Sequence, residues 1–402
     1  MLLTYRLSLA LLAAVLGTTT LDTTALADDP VFEQQVLFRS GEGGYGGFRI
    51  PCVLATNTPN TVLVFCEARQ AKAGFGIPFP DQAETEIVMR RSDDGGRKWS
   101  DYEVVIESAD VTTGNPCTLL DRETGAVFLA FCRGAADGVI NKSAHVVKST
   151  DDGRTWSEPI EITNAAKADN WTYVFTGPGH GIQLQSGRLV IPCSAQYGPQ
   201  FSYVIYSDDH GVSWQRGERV VGEGTLDDSV KWKELGDSMP DYAPNNVSDE
   251  PGIVELSDGR VYMNARSRLQ MGHRAYAYSN DGGVTWSKMK FHPDLPESVV
   301  DGSLARLPDP NVLLVSRPTF EYEKGMQYGG MWSHRRDLTV SISSDNGKTW
   351  PISKLIHQGP AAYSDLTVLP SGDVLCLYEC GQEFRYETLT LARFNLEWVR
   401  SE

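Results

Sequence analysis

The sequence predicts an all-β fold, a six-bladed β-propeller, because two short patterns repeat along the chain. The first is a box of the form Ser-x-Asp-x-Gly-x-Thr-Trp, which occurs five times in 402 residues, beginning at Ser92, Ser149, Ser207, Ser279 and Ser343. The second is an apolar, β-rich run that occurs six times, at 61–66, 126–132, 188–193, 260–265, 311–316 and 373–378. Six units of roughly 60 residues account for most of the chain.

Each unit contains further strand signals. Runs with a period of two, at 86–90, 203–206 and 338–342, lead into boxes and are typical of half-buried strands. The unit is therefore strand, turn, strand, box turn, strand, and six such sheets arranged radially form a propeller. A stacked solenoid is the alternative, but it needs capping units and shorter, more uniform repeats. Because the sixth unit lacks a box, we predict that residues 31–38 close the ring against the C-terminal strands.

The box itself has a structural explanation. Its Asp accepts backbone N–H bonds in a tight turn, its Gly takes a positive φ, and its Trp is expected to pack the turn onto its own sheet. Calcium binding is not expected, because the D-x-D-x-D-G spacing with a terminal Glu is absent. Five equivalent copies also argue against a catalytic role for the box.

The first residues predict export. Arg6, the apolar run 7–16 and the Ala25-Leu26-Ala27 site are typical of a secretory signal peptide over residues 1–27. A membrane anchor is the other interpretation of this segment, but the apolar run is too short to span a bilayer. We therefore expect a secreted or periplasmic protein with one catalytic domain at 28–402 and no membrane association after cleavage. A net charge of −16 argues against nucleic acid as a partner.

The seven cysteines do not form a metal-binding pattern. They lack any C-x-x-C spacing, and most lie in or beside apolar, strand-like runs, which is typical of buried free thiols. We expect one disulfide or none. Two irregular insertions, 70–80 and 220–242, have the length of loops that cover a site.

Several motifs together resemble the exo-sialidase (neuraminidase) family of six-bladed propellers, which remove terminal sialic acid from glycans. The resemblance extends over residues 28–402. Besides the boxes, it rests on these segments: Phe48-Arg49-Ile50-Pro51, Glu67-Ala68-Arg69, Asp81 seven residues before Val88, Glu250 ahead of Asn264-Ala265-Arg266-Ser267, Arg335-Arg336-Asp337-Leu338-Thr339, and Tyr363-Ser364-Asp365-Leu366. The spacer between Arg69 and Asp81 is longer than the family pattern.

The resemblance implies a role for each of these residues. Sialic acid carries a carboxylate on its anomeric carbon, which Arg49, Arg266 and Arg335 would hold by charge-assisted hydrogen bonds. Tyr363 would be the nucleophile, a neutral hydroxyl that the substrate carboxylate does not repel, with Glu250 as its general base. Asp81 would be the general acid, and the configuration would be retained.

Other residues compete for some of these roles. Arg69 is expected to orient nearby carboxylates. Arg317 and Arg336 are alternatives to Arg335, and Asp249 and Glu255 are alternatives to Glu250. The loop Gly177-Pro178-Gly179-His180-Gly181-Ile182 also resembles a family loop near the site.

The expected partners are sialylated glycoproteins, glycolipids or oligosaccharides, and the resemblance implies no metal or organic cofactor. A monomer is expected. Three alternatives stay open: a glycan-binding propeller without catalysis, a transferase or intramolecular lyase with the same residues, and a related nine-carbon keto acid as the preferred substrate. The fold alone does not separate them.

Overall fold

Mainly antiparallel sheets of four or five strands dominate the described part of the chain, and two further sheets are joined through one long strand. The computed structural model describes residues 29–74, 77–108, 111–134, 141–196, 200–222, 248–267, 272–319 and 334–401. The predicted signal segment and most of the 220–242 insertion lie outside these ranges. Within them, no helix has the length and apolar character needed to cross a membrane.

The first three sheets, or blades, follow one another along the chain. Blade 1 contains β2 (Gly47–Ala55), β3 (Val62–Arg69), β4 (Thr85–Ser92) and β5 (Glu103–Ile106). Blade 2 contains β6 (Thr113–Leu120), β7 (Val127–Arg133), β8 (Ser143–Ser149) and β9 (Ile160–Glu161). Blade 3 contains β10 (Val174–Thr176), β12 (Ile182–Gln183), β13 (Leu189–Gln196), β14 (Gln200–Ser207) and β15 (Gln215–Arg216), while β11 (Gly179–His180) pairs with β6.

The remaining blades include one long strand, β23 (Ile352–Val368), which two of them share. Blade 4 contains β16 (Ser248–Glu255), β17 (Val261–Ser267), β18 (His273–Ser279) and β19 (Lys290–Pro296). Blade 5 contains β20 (Ser303–Arg306), β21 (Leu313–Pro318), β22 (Arg336–Ser343) and the first part of β23. Blade 6 contains the second part of β23, β24 (Val374–Cys380), β25 (Thr388–Phe394) and β1 (Phe32–Arg39). Within the described ranges, the helical segments are short: Glu42–Gly44, α1 (Thr163–Ala166) and α2 (Leu396–Arg400).

Blade 6 confirms the predicted closure of the ring. Strand β1 runs antiparallel to β25, with Phe32 opposite Phe394 and Arg39 opposite Thr388. The inner strands contact one another around the axis, β2 touching both β6 and β23, and β16 touching both β13 and β20. Each of the six predicted β-rich runs forms the second strand of its blade. The six-bladed propeller predicted from the repeats is therefore the observed architecture.

The hydrophobic core lies between neighbouring blades. Leu63 and Phe65 of blade 1, for example, pack against Leu129 and Phe131 of blade 2. The box tryptophans also lie in this contact between blades. The prediction that each of them packs onto its own sheet was wrong. Trp156, at the end of the blade 2 box, meets Phe65 of blade 1 edge to face, with ring centroids 5.7 Å apart. Because the box turn reaches across the gap, its Trp packs onto the preceding blade rather than onto its own sheet.

The boxes form the expected structural turns. In the copy beginning at Ser149, Asp151 accepts bonds from the backbone N–H of Thr155 (2.9 Å) and from its hydroxyl (2.7 Å). Gly153 has φ 82°, and a Cβ there would lie 2.8 Å from Leu63 of blade 1. Glycine is thus required both by the backbone and by the close approach of the neighbouring blade.

Candidate active site

A cavity of about 400 Å³ opens among the inner strands, and all seven sequence-predicted site residues line it. They come from four blades and from the segments that flank them. The residues are Arg49 (β2), Arg69 (β3), Asp81 (between β3 and β4), Glu250 (β16), Arg266 (β17), Arg335 (before β22) and Tyr363 (β23). The radial arrangement of the blades therefore brings together side chains that are up to several hundred residues apart in the sequence.

The inner strands turn their polar residues toward this cavity through β-bulges. Ile50, Asn115 and Glu250 each precede a proline, have positive φ (60°, 54° and 41°) and occupy a break in strand register. Positive φ is strained for non-glycine residues, above all for a β-branched one. Bulges re-aim side chains next to active sites. The x-Pro pattern repeated in these strands is a signal in the sequence that the motif-based predictions did not use.

Tyr363 and Glu250 meet at the floor of the cavity. The Tyr363 hydroxyl donates a short hydrogen bond to Glu250 Oε1. Arg266 Nη1 lies 3.0 Å from the same hydroxyl and 2.5 Å from Glu250 Oε2. Burial and the Glu250 carboxylate raise the pKa of Tyr363 well above its ordinary value, although Arg266 and Arg335 act in the opposite direction. The phenol is therefore neutral in this state and has a base at hydrogen-bond distance.

Three guanidinium groups surround this pair. Arg49 is buried and paired with Glu379, while Arg266 is held by Glu250. Arg335 donates to the carbonyl of Val299 (2.7 Å) and to the Tyr386 hydroxyl (3.2 Å). Groups of this geometry bind a planar carboxylate through paired bonds.

Asp81 stands at a more open position. Its side chain is 59% exposed, and Oδ1 lies 2.7 Å from Arg69 Nη1 and 3.7 Å from Arg49 Nη1. Arg69, with a smaller contribution from Arg49, outweighs burial and lowers the pKa of Asp81 to about 2. Without substrate, Asp81 is a carboxylate. Arg69 is itself paired with Glu67 through its Nε (2.7 Å).

Sequence reasoning missed three contributors to the site. Glu379 anchors Arg49, and Glu67 anchors both Arg69 and the backbone N–H of Asn115 (2.7 Å). The signal for Glu379 was a charged residue directly after the apolar run 373–378. Tyr386 lies under Arg49, whose Cζ is 4.0 Å from the ring centroid. Burial opposes its ionisation, but Arg49 and Arg335 prevail and lower the pKa of Tyr386.

The competing residues lie elsewhere. Arg317 bonds to the carbonyl of Pro296 (2.8 Å), away from the cavity, and Arg336 is exposed. Glu255 and His180 line a separate cavity of about 470 Å³. Asp249 is adjacent to the site, but its carboxylate accepts the backbone N–H of Glu250 (3.0 Å).

Comparisons with known proteins agree with the β-propeller fold. A family model described as a BNR repeat-like domain matches residues 75–376. A sialidase from Micromonospora viridifaciens is 32% identical over 404 residues, covering 92% of this chain and 55% of that protein. Sialidase-3 of Mus musculus is 26% identical over 430 residues, covering 91% of this chain and 95% of that protein. The solved structure of Hadza microbial sialidase Hz136 has a TM-score of 0.74 at 25% identity, covering 90% of this chain and 68% of that one.

The fold and the sequence matches thus define a β-propeller built from BNR repeat-like units. The chain belongs to the BNR repeat-like domain family and, within it, to the sialidases. It spans about half the length of the Micromonospora relative and nearly the whole of the mouse one.

Proposed function

We propose that the protein acts as an exo-α-sialidase that releases terminal sialic acid with retention of configuration, through a covalent intermediate on Tyr363. The observation that carries the proposal is the hydrogen bond from Tyr363 to Glu250 at the floor of a cavity ringed by Arg49, Arg266 and Arg335. A phenol paired with a carboxylate base is an activated nucleophile. Sialidases with a tyrosine nucleophile are a recognised exception to the two-carboxylate rule for glycosidases.

Substrate binding uses the arginines. The carboxylate on the anomeric carbon would lie among Arg49, Arg266 and Arg335, whose donors come from three different blades. This clamp fixes the sugar with its anomeric carbon over the Tyr363 oxygen, and such positioning lowers the barrier to attack.

In the first chemical step, Glu250 takes the proton of Tyr363 while the phenolic oxygen bonds to the anomeric carbon. The bond from that carbon to the leaving oxygen breaks, and Asp81 supplies a proton to the leaving oxygen. In the second step, Asp81 takes a proton from water, the water oxygen displaces Tyr363, and Glu250 returns its proton to the phenol. Two inversions at one carbon give overall retention.

Asp81 must be protonated for the first step, although its pKa is about 2 in the empty site. The cause of that low pKa is the positive charge of Arg69 and Arg49. A bound substrate carboxylate compensates part of this charge, and a nearby anion raises the pKa of a carboxyl group. Substrate binding therefore favours the acid form that the reaction needs.

The proposed substrates are sialylated glycoproteins, glycolipids or oligosaccharides outside the cytoplasm, acted on by a monomer. The signal-like residues 1–27 support export. All seven cysteines are buried free thiols, so the fold does not depend on disulfides.

The test is turnover of a methylumbelliferyl α-sialoside by the wild type, by Tyr363→Phe and by Tyr203→Phe. Tyr203 is a matched control, because it is also a buried tyrosine but donates to the carbonyl of Ala166 outside the cavity. We expect Tyr363→Phe to lose nearly all turnover while still binding free N-acetylneuraminic acid by calorimetry. Full activity of Tyr363→Phe would remove the nucleophile assignment, and an inactive wild type would remove the sialidase proposal.

A further inference from the structure

One wall of the catalytic cavity is made where two loops meet. Phe79, in the insertion between β3 and β4, is buried and packs against the rings of Phe384 and Tyr386, each with a centroid distance of 6.5 Å. Asp81 follows Phe79 by two residues. The segment between β24 and β25 therefore lies beside the loop that carries the proposed general acid. Since Asp81 would protonate the leaving oxygen, this wall faces the group released from sialic acid, the aglycone.

Arg385 lines the cavity from this wall. Its guanidinium lies over the rings of Tyr386 and Phe384, with Cζ 5.0 and 5.8 Å from their centroids. Across the described residues it makes no hydrogen bond or ion pair, and its Nε is buried without a partner. Arg49, Arg69 and Arg266, by contrast, are each paired with a carboxylate. Arg385 is thus a cation in the cavity whose hydrogen-bonding capacity is unused.

The turn that presents Arg385 is held in one shape. The Glu387 carboxylate accepts the backbone N–H groups of Gln382 (3.1 Å), Glu383 (2.9 Å) and Phe384 (2.7 Å). A Cβ on Gly381 would collide with the carbonyl of Phe384, so glycine permits the tight return of the chain. A fixed backbone and two flanking rings position the guanidinium before any ligand arrives.

The substrate's own carboxylate does not need this arginine. One carboxylate offers about four lone-pair sites, and three guanidinium groups already provide paired donors for them. A neutral galactose in the leaving group would give the cation nothing to pair with. A leaving sugar that carries its own carboxylate would pair with the Arg385 cation, in the bidentate geometry that arginine favours.

We propose that Arg385 binds the carboxylate of a second sialic acid in the aglycone position, so that sialic acid linked to sialic acid is a preferred substrate class. The inference rests on the proposed sialidase function and adds an anion-binding subsite to it. In a protein of net charge −16, a local cation is needed to hold a dianionic substrate against general repulsion. The subsite selects the leaving group and takes no part in bond breaking.

The experiment compares kcat/KM on a disaccharide of two sialic acids with kcat/KM on sialyllactose. For Arg385→Gln we expect the ratio of the two values to fall by about tenfold, the scale of one lost charge-assisted contact. Arg385→Lys keeps the positive charge but loses the bidentate guanidinium, so its ratio should lie between those of the wild type and Arg385→Gln. Arg260→Gln is the control, because Arg260 also lies over a tyrosine ring, Tyr278 at 4.7 Å, but outside the cavity.

A second arm uses wild-type enzyme and so does not depend on the folding of any variant. The disaccharide whose leaving sialic acid carries a primary amide in place of its carboxylate should be hydrolysed about tenfold less efficiently than the acid. Equal rates on acid and amide would overturn the proposal, as would an equal loss on both natural substrates in Arg385→Gln. A larger Arg385 effect on a sulfated aglycone would assign the subsite to sulfate instead. If the wild type fails on the methylumbelliferyl sialoside as well, the sialidase proposal itself has failed.

Discussion

Glu379 holds Arg49 through two parallel hydrogen bonds, 2.9 Å from Nε and 3.1 Å from Nη2, where solvent does not reach. The same carboxylate accepts the backbone N–H groups of Ile50 (2.9 Å) and Tyr363 (3.1 Å). One side chain therefore fixes both an arginine of the proposed substrate-binding group and the strand that carries the proposed nucleophile. We expect Glu379 to position other groups, since Arg49 lines the cavity and Glu379 is not among the lining residues.

The first prediction concerns this link. We expect Glu379→Gln to lower kcat/KM by about a hundredfold, mainly through KM, because a small displacement of a positioning group has effects of that size. Losing one partner of a buried ion pair should also cost about 3–5 kcal/mol of stability. Steady-state kinetics and urea unfolding measure both effects, with the exposed Glu33→Gln as control. An unchanged KM would contradict the positioning role.

The second prediction concerns Asp81, the proposed general acid. Asp81→Ala should lower kcat/KM on sialyllactose by about 10²–10⁴-fold, the usual contribution of a general acid. The loss should be much smaller on the methylumbelliferyl sialoside, because its leaving group departs without full protonation. Parallel kinetics on the two substrates test this directly. Similar losses on both would show that Asp81 acts in binding rather than as an acid.

The third prediction concerns the dependence of stability on pH. The positive charges of Arg69 and, to a smaller extent, Arg49 lower the pKa of Asp81 from 3.8 to about 2. The resulting stabilisation is present at neutral pH and is lost as pH falls from about 4 to 2. The free energy of unfolding of Asp81→Asn should therefore approach that of the wild type near pH 2. The effect should be modest, since the side chain is largely exposed. If the two free energies of unfolding still differ at pH 2, the effect of the substitution comes from packing rather than from charge.

The fourth prediction concerns the box tryptophans. Trp350 is 3% exposed and packs in a cluster with Tyr262 of blade 4, so Trp350→Ala should lower stability by about 3–5 kcal/mol. Trp156 is only partly buried, and Trp156→Ala should cost less. Urea unfolding of the two variants gives the comparison, and both should keep kcat on the methylumbelliferyl sialoside. If Trp156→Ala were the less stable variant, burial of the tryptophan would not determine the loss of stability.

The sequence was sufficient for the repeat, the second strand of every blade and the ring closure, because each depends on local period or turn chemistry. The predicted site residues were found through motifs and do meet in one cavity. The pair Arg49–Glu379 was not foreseeable, since its partners are 330 residues apart and neither segment indicates the other. The predicted packing of Trp156 was wrong for the same reason, because the box pattern indicates the local turn and contains no information about the neighbouring sheet.

The pairing of β1 with β25 also sets an order of events in biosynthesis. The backbone N–H of Val31 bonds to Asn395, 364 residues later. During translation, strand β1 has no paired neighbour in the sheet until β25 has left the ribosome. Contacts of such long sequence separation form late in folding. Blade 6 can therefore assemble only after nearly all of the propeller has been synthesised, and an exported chain would cross the membrane before its ring is complete.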